Sequence, residues 1–210
     1  MKHRLILSLL LCFASLFVQP ARAFQMDDNF NGSSVNTALW FVTIVPAGVG
    51  TISETNQQLE MTAVGSGISY MGLASKCKVS GDFDVQVDYE LLNWPAQNFH
   101  TVRLMASDLP DGGTGFPGVY RNSYADENYQ FRNQLGLAGL KSVSTSDTSG
   151  TIGLKRTGQM LSGYTSHGTI GSAPTTSNAT GFTIALRPPQ IQHRVMSRSR
   201  LITSGSTPAR

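Results

Sequence analysis

The chain has 210 residues, a formal net charge of +3, 21 glycines, nine prolines and two cysteines, and only 14% of its residues are charged. That charged fraction is well below the roughly 25% of an average soluble domain, and with abundant glycine it favours a turn-rich all-β domain over a helical one. The positive charge sits at the ends. Three of the 16 Lys and Arg lie in residues 1–23 and five in 187–210, while all 13 acidic residues lie between Asp27 and Asp147, so 24–186 carries a net −5. A nucleic-acid binder needs a basic face on its folded part, and this composition excludes one.

Residues 1–23 have the three parts of a secretory signal peptide. Lys2 and Arg4 make a basic start, Leu5 to Val18 is an apolar run, and Ala21-Arg22-Ala23 is a small-x-small cleavage site. The run is short of the ~20 apolar residues that span a bilayer. The mature chain is therefore expected to begin at Phe24, to be secreted or periplasmic, and to have no membrane partner after cleavage. Cys12 leaves with that segment and Cys77 stays alone, so no internal disulfide forms; with no histidine set beside it by a motif, an inert thiol is expected.

From Phe24 on, alternation with a period of two predicts strands. In chain order these are Leu39–Val45, Gln58–Ala63, Gly67–Ala74, Asp82–Leu91, His100–Ala106, Gly118–Arg121, Asn128–Arg132, Thr151–Arg156, Met160–Thr165 and Phe182–Leu186. The clearest is Asp82–Leu91, with Phe83, Val85, Val87, Tyr89 and Leu91 on a dry face and Asp82, Asp84, Gln86, Asp88 and Glu90 on a wet one. Thr157-Gly158-Gln159 is a hairpin signal between two of them. Turn clusters at 31–34, 46–48, 108–113 and 144–150 separate the strands, and no window holds helical periodicity for three turns. Many short strands without helices predict a sandwich or barrel.

Phe30 to Trp40 reads F-N-G-x-x-V-N-x-x-x-W. It resembles the first strand and turn of the concanavalin A-like lectin/glucanase superfamily, which includes family-16 glycoside hydrolases and laminin-G-like domains. Thr51–Leu59, Gly81–Val85, Gly150–Gly158 and Leu161–Tyr164 resemble later stretches in the same order. The resemblance spans about residues 27–186 and implies an all-β, two-sheet antiparallel jelly-roll sandwich with one concave face often used for sugar.

Such domains usually close on a strand with a D-N-F-x-V pattern. Arg187 to Arg210 shows no such strand and is rich in Arg, Ser and Pro, so the sandwich is expected to lack its last strand and the tail to be disordered. With permitted codons, taking each new codon from the third base, Leu186 to Pro208 can encode A-A-T-P-N-P-A-S-R-H-V-A-V-T-L-D-N-F-R-V-N-S. That string contains the missing strand; a frameshift near Leu186 accounts for it, and coincidence, since codon freedom makes many strings reachable, is the alternative. Loss of a closing strand would expose an edge and promote aggregation.

Catalysis in family-16 hydrolases needs paired carboxylates in an E-x-D-x-x-E or E-x-D-x-E array, about 5–5.5 Å apart. Nothing here spells it. Asp84, Asp88 and Glu90 share a strand face but lie too early in the chain, and a solvated face accounts for them. The glycine-rich stretch from Gly113 to Gly118 lacks the helix that a dinucleotide site requires. Asp108 and Asp111 are oxygen ligands at a calcium-like spacing, and a surface turn accounts for the same residues. His100, His167 and His193 are scattered, with no zinc spacing. No cofactor is expected.

The remaining clue is aromatic. Trp94, Tyr120, Tyr124 and Tyr129, with Arg121, Asp126, Glu127 and Asn128 among them, supply ring faces for sugar C–H groups and polar groups for hydroxyls. Trp94, Tyr120, Arg121, Tyr124 and Tyr129 are the candidate ligand-binding residues, although Tyr and Trp also fill sandwich cores with the polar end outward. Phe30 and Trp40 read as core anchors. The expected function is carbohydrate binding without catalysis, with a polysaccharide or glycan as partner. A divergent glycoside hydrolase and an extracellular structural or adhesion domain are the alternatives.

Overall fold

A computed structural model describes residues 28–63, 70–94, 100–107, 117–124, 126–133, 140–174, 179–187 and 193–198. The expected signal peptide, the Asp108 and Asp111 pair and most of the glycine-rich stretch before Gly118 lie outside the described residues. Among the described residues there is no helix. The strands are β1 (Trp40–Val45), β2 (Gly50–Thr55), β3 (Gln58–Ala63), β4 (Tyr70–Ser75), β5 (Val79–Ser80), β6 (Phe83–Leu91), β7 (His100–Ser107), β8 (Gly118–Ser123), β9 (Glu127–Arg132), β10 (Lys141–Ser144), β11 (Ser149–Thr157), β12 (Met160–Thr165), β13 (Gly168–Pro174), β14 (Ala179–Arg187) and β15 (His193–Arg198).

They form two antiparallel sheets. The first runs β1-β4-β14-β7-β8-β9-β10, with β5 paired to β14, and the second runs β13-β12-β11-β6-β15-β3-β2. The expected sandwich is thus present, and β6 shows why. Phe83, Val85, Val87, Tyr89 and Leu91 are buried while the residues between them are half-buried or exposed. Ile152 and Leu154 of β11 and Leu59 and Met61 of β3 extend this inner layer, against Met71, Leu73, Val102, Leu104, Val119 and Phe131 of the first sheet. Each such side chain contributes about 1.5–3 kcal/mol by leaving water.

The hairpin at Gly158 also forms. Thr157 pairs with Met160 across a two-residue turn, and Gly158 adopts φ +59°, a value that glycine reaches without a Cβ clash. At the start of the described chain, Phe30 and Trp40 are both buried, with ring centroids 5.8 Å apart. One carboxylate organises them: Asp28 Oδ1 accepts from the Phe30 amide at 3.0 Å and Oδ2 from the Trp40 indole at 2.6 Å. The F-N-G-x-x-V-N-x-x-x-W segment is therefore a core anchor.

The sequence reading predicts no strand after Leu186, and here the structure differs. β14 continues to Arg187, and β15 lies between β3 and β6, with Val195 opposite both Met61 and Leu91. Two strands with open backbone edges flank a gap one strand wide, and a segment without hydrophobic alternation can still satisfy their N–H and C=O groups. Residues 188–192 and 199–210 lie outside the described residues.

Candidate functional site

Antiparallel pairing of β7, β8 and β9 lines up Arg103, Tyr120 and Gln130 in one row and Thr101, Asn122 and Asn128 in the next. Neighbours along a strand point to opposite faces. Tyr120 and Asn122 therefore face outward from the sandwich, whereas Val119 and Arg121 face inward with Tyr129 and Phe131.

The outer face of these strands is polar and aromatic. Thr101 Oγ1 donates to Asn122 Oδ1 at 3.0 Å, and Asn122 Nδ2 donates to Asn128 Oδ1 at 3.1 Å. Arg132 donates through Nε and Nη2 to Gln130 Oε1 at 3.0 and 2.6 Å, and its guanidinium lies 4.7 Å from the centre of the Tyr120 ring. The Arg103 guanidinium lies 4.9 Å from the Tyr70 ring. Tyr124 follows β8 with its hydroxyl 3.4 Å from Thr101 Oγ1. Arg103, Tyr120 and Asn122 are buried, Tyr70, Gln130 and Arg132 half-buried, and Tyr124 exposed. Among the described residues, β4, β7, β8 and β9 place no carboxylate on this face.

The inner side is different. Arg121, 2% exposed, is the hub of a polar network at one end of the core. Its Nε and Nη2 donate to the Asp147 carbonyl at 3.1 and 3.0 Å, and Nη1 donates to the Asn122 carbonyl at 2.5 Å. Nη1 also pairs with Glu127 Oε2, which accepts from the Trp94 indole at 3.4 Å; Ser123 donates to Glu127 Oε1. Tyr129 donates to Asp147 Oδ2 at 2.7 Å and touches the Tyr89 hydroxyl at 2.5 Å, and His167 Nε2 lies 2.9 Å from the same Asp147 oxygen.

The five residues singled out from the sequence thus do not share one surface. Trp94, Arg121 and Tyr129 meet inside the network, Tyr120 lies on the opposite side of the sheet, and Tyr124 is at its rim. Arg121 and Tyr129 are almost wholly buried, so no sugar can stack on them. Glu127, Asp147, His167 and Tyr89 complete the network from β9, the β10–β11 loop, the β12–β13 turn and β6. No local motif announces them, because the fold alone brings them together.

Burial pushes the Tyr129 hydroxyl well above the usual tyrosine range and raises that of Tyr89 too, so both stay protonated. Burial also raises the Glu127 carboxyl, but hydrogen bonds from Ser123 and Arg121 and the Arg121 charge outweigh it and hold the group below its ordinary range. Asp147 is likewise raised by burial and then lowered further by hydrogen bonds from Tyr129, Thr145 and His167. A depressed folded-state pKa gives stability that is complete above the unfolded-state value and is lost as pH falls through the folded one. The melting temperature is therefore expected to drop as pH falls below about 4.5. Glu127→Gln should flatten that acid limb when melting is followed across pH; an unaltered limb would exclude Glu127 as its source.

Asp84, Asp88 and Glu90 lie on the outer face of the other sheet. Asp84 accepts from the Tyr164 hydroxyl at 2.5 Å and sits 3.7 Å from Lys155 Nζ, and Asp88 accepts from Thr151 at 2.6 Å. These are cross-strand pairs on a solvated face, and burial and Asp84 push the Tyr164 hydroxyl above its usual range. Cys77 is half-buried against the core.

Solved structures of similar shape include glucanase catalytic domains. A laminarinase catalytic domain from Thermotoga petrophila superimposes with a TM-score of 0.64 at 8% identity, over 90% of this chain and 100% of that one. LamA from Zobellia galactanivorans, in complex with laminaritriose and laminaritetraose, gives 0.65 at 8% identity over 87% and 99%. The chain shares with them a two-sheet antiparallel jelly-roll fold. A pseudo-β-1,3-glucanase of Mycobacterium tuberculosis shares this jelly roll at a TM-score of 0.62 and 10% identity, over 87% of this chain and 99% of that one. No family model matches the sequence, and no curated protein matches it.

Proposed function

We propose that this jelly roll is an exported carbohydrate-binding module that holds a glycan on the outer face of β7, β8 and β9 without cleaving it. The observation that carries the reading is the chemistry of that face. It offers the half-buried or exposed Tyr70, Tyr124, Gln130 and Arg132 to a ligand, held from behind by the buried Tyr120, Asn122, Asn128 and Arg103, and among its described residues no carboxylate. Rings stack on sugar C–H groups, and preorganised amides and guanidinium groups bind hydroxyls. A retaining glycosidase needs two carboxyl groups about 5–5.5 Å apart on the surface that holds the sugar. The laminaritriose and laminaritetraose in the LamA complex support an oligosaccharide of β-glucan type as a first ligand to try. Export rests on the basic, apolar and small-residue order of residues 1–23.

Titration calorimetry with laminarin oligosaccharides, mixed-linkage glucan and mucin glycans tests the reading. Binding should weaken about tenfold, or about 1.4 kcal/mol, in Arg132→Ala, which removes guanidinium donors from the face and unlocks Gln130. Release of reducing ends would favour a divergent glycosidase. No binding across the panel, with an unaltered melting temperature, would favour a structural or adhesion module.

A further inference from the structure

We propose that a second cleft, where the edge strands β10 and β13 of the two sheets meet, binds one sugar-sized neutral polyol. The cleft is half-open, has a volume of about 340 Å³ and is lined by residues of β9, β10, β12, β13 and their connections. That is at the small end of ligand pockets, and fits one ring rather than a chain. It lies between sheet edges, apart from the outer face of β7 to β9, and does not depend on that face binding anything.

Its chemistry points to hydroxyl groups. Asp147, His167, Ser144, Thr145 and Thr169 are among the lining residues. Val143 and Ile170 supply apolar surface for ring C–H groups. The Asp147 carboxylate takes three side-chain hydrogen bonds, from Tyr129 at 2.7 Å and His167 at 2.9 Å on Oδ2 and from Thr145. An ionised carboxylate has about four acceptor sites, so these three donors leave room for a ligand hydroxyl, and a hydrogen bond to a carboxylate is about twice as strong as one between neutral groups.

The carboxylate is also fixed in advance. The Asp147 carbonyl takes two donors from buried Arg121, and its amide donates to Thr145 Oγ1 at 3.0 Å. A rigid acceptor spares the ordering cost that a mobile loop would add on binding. The lining offers no Lys or Arg side chain, and Asp147 carries negative charge, which disfavours anionic ligands.

The test is an amide NMR titration of the full chain with methyl glucoside, methyl galactoside and methyl mannoside. At least one should shift amides of 143–147 and 167–170, with a roughly millimolar dissociation constant. Val143→Trp, at a position 50% exposed and so tolerant of bulk, should fill the cleft and abolish those shifts. His167→Ala should weaken them, and Tyr120→Leu should leave them intact. The proposal is overturned if no glycoside shifts these amides, if the shifts survive in Val143→Trp, or if methylammonium produces them as strongly as the neutral glycosides do.

Discussion

Arg121→Ala is expected to destabilise the chain by about 3 kcal/mol or more, toward the range measured when one partner of a buried ion pair is removed. The guanidinium satisfies two backbone carbonyls, those of Asp147 and Asn122, and the Glu127 carboxylate. Truncation leaves all three short of donors and opens a cavity beside Trp94 and Tyr129. The Glu127 side chain keeps 23% exposure, so water partly repairs its loss and the effect belongs near the lower end of the range. Against a total stability of about 5–15 kcal/mol this is a large fraction. Arg121→Lys should rescue little, because an ammonium cannot reach three acceptors in a fixed fork. Arg121→Met with Glu127→Gln should be milder than Arg121→Ala, since no charge is then left unpaired. Urea unfolding measures the shift as a lower midpoint at constant slope. A loss below about 1 kcal/mol would show that the network is not a structural hub.

The same network shows what sequence can and cannot tell. β6 is legible because one of its faces is dry and the other wet. β10 reads K-S-V-S with all four residues exposed, and β13 is largely small residues at a sheet edge, so neither has a hydrophobic face to announce it. Their places come from backbone pairing. Tyr120 and Arg121 are adjacent in a strand whose start is correctly read, and strand parity alone separates them onto opposite faces; grouping them by proximity in sequence overlooks that signal. Asp147 and His167 meet Tyr129 from 18 and 38 positions away along the chain, and no local spacing encodes such a meeting.

Replacing the chain after Leu186 with the string read from the third codon base is expected to raise stability by on the order of 3 kcal/mol. The slot between β3 and β6 is where this gain arises. Its register positions 193, 195 and 197 lie opposite Ala63, Met61 and Leu59 of β3, all buried, and 195 and 197 also lie opposite Leu91 and Tyr89 of β6. The chain carries His, Val and Ser at those positions, one apolar residue in three. The alternative string carries V-A-V-T-L, apolar at each alternate position, four residues further along than this slot, so a connection longer by four residues would seat its Val, Val and Leu where 193, 195 and 197 now lie, with D-N-F following. Two more aliphatic side chains in such a slot, each worth about 1.5–3 kcal/mol when buried, set the size of the effect. Either segment must be ordered to pair, so the backbone cost of forming the strand largely cancels between them. Thermal and urea unfolding of the two chains side by side measure the difference. Equal stability would show that backbone pairing alone closes the sheet, and codons near 186 that do not permit D-N-F would remove the frameshift as the origin of this tail.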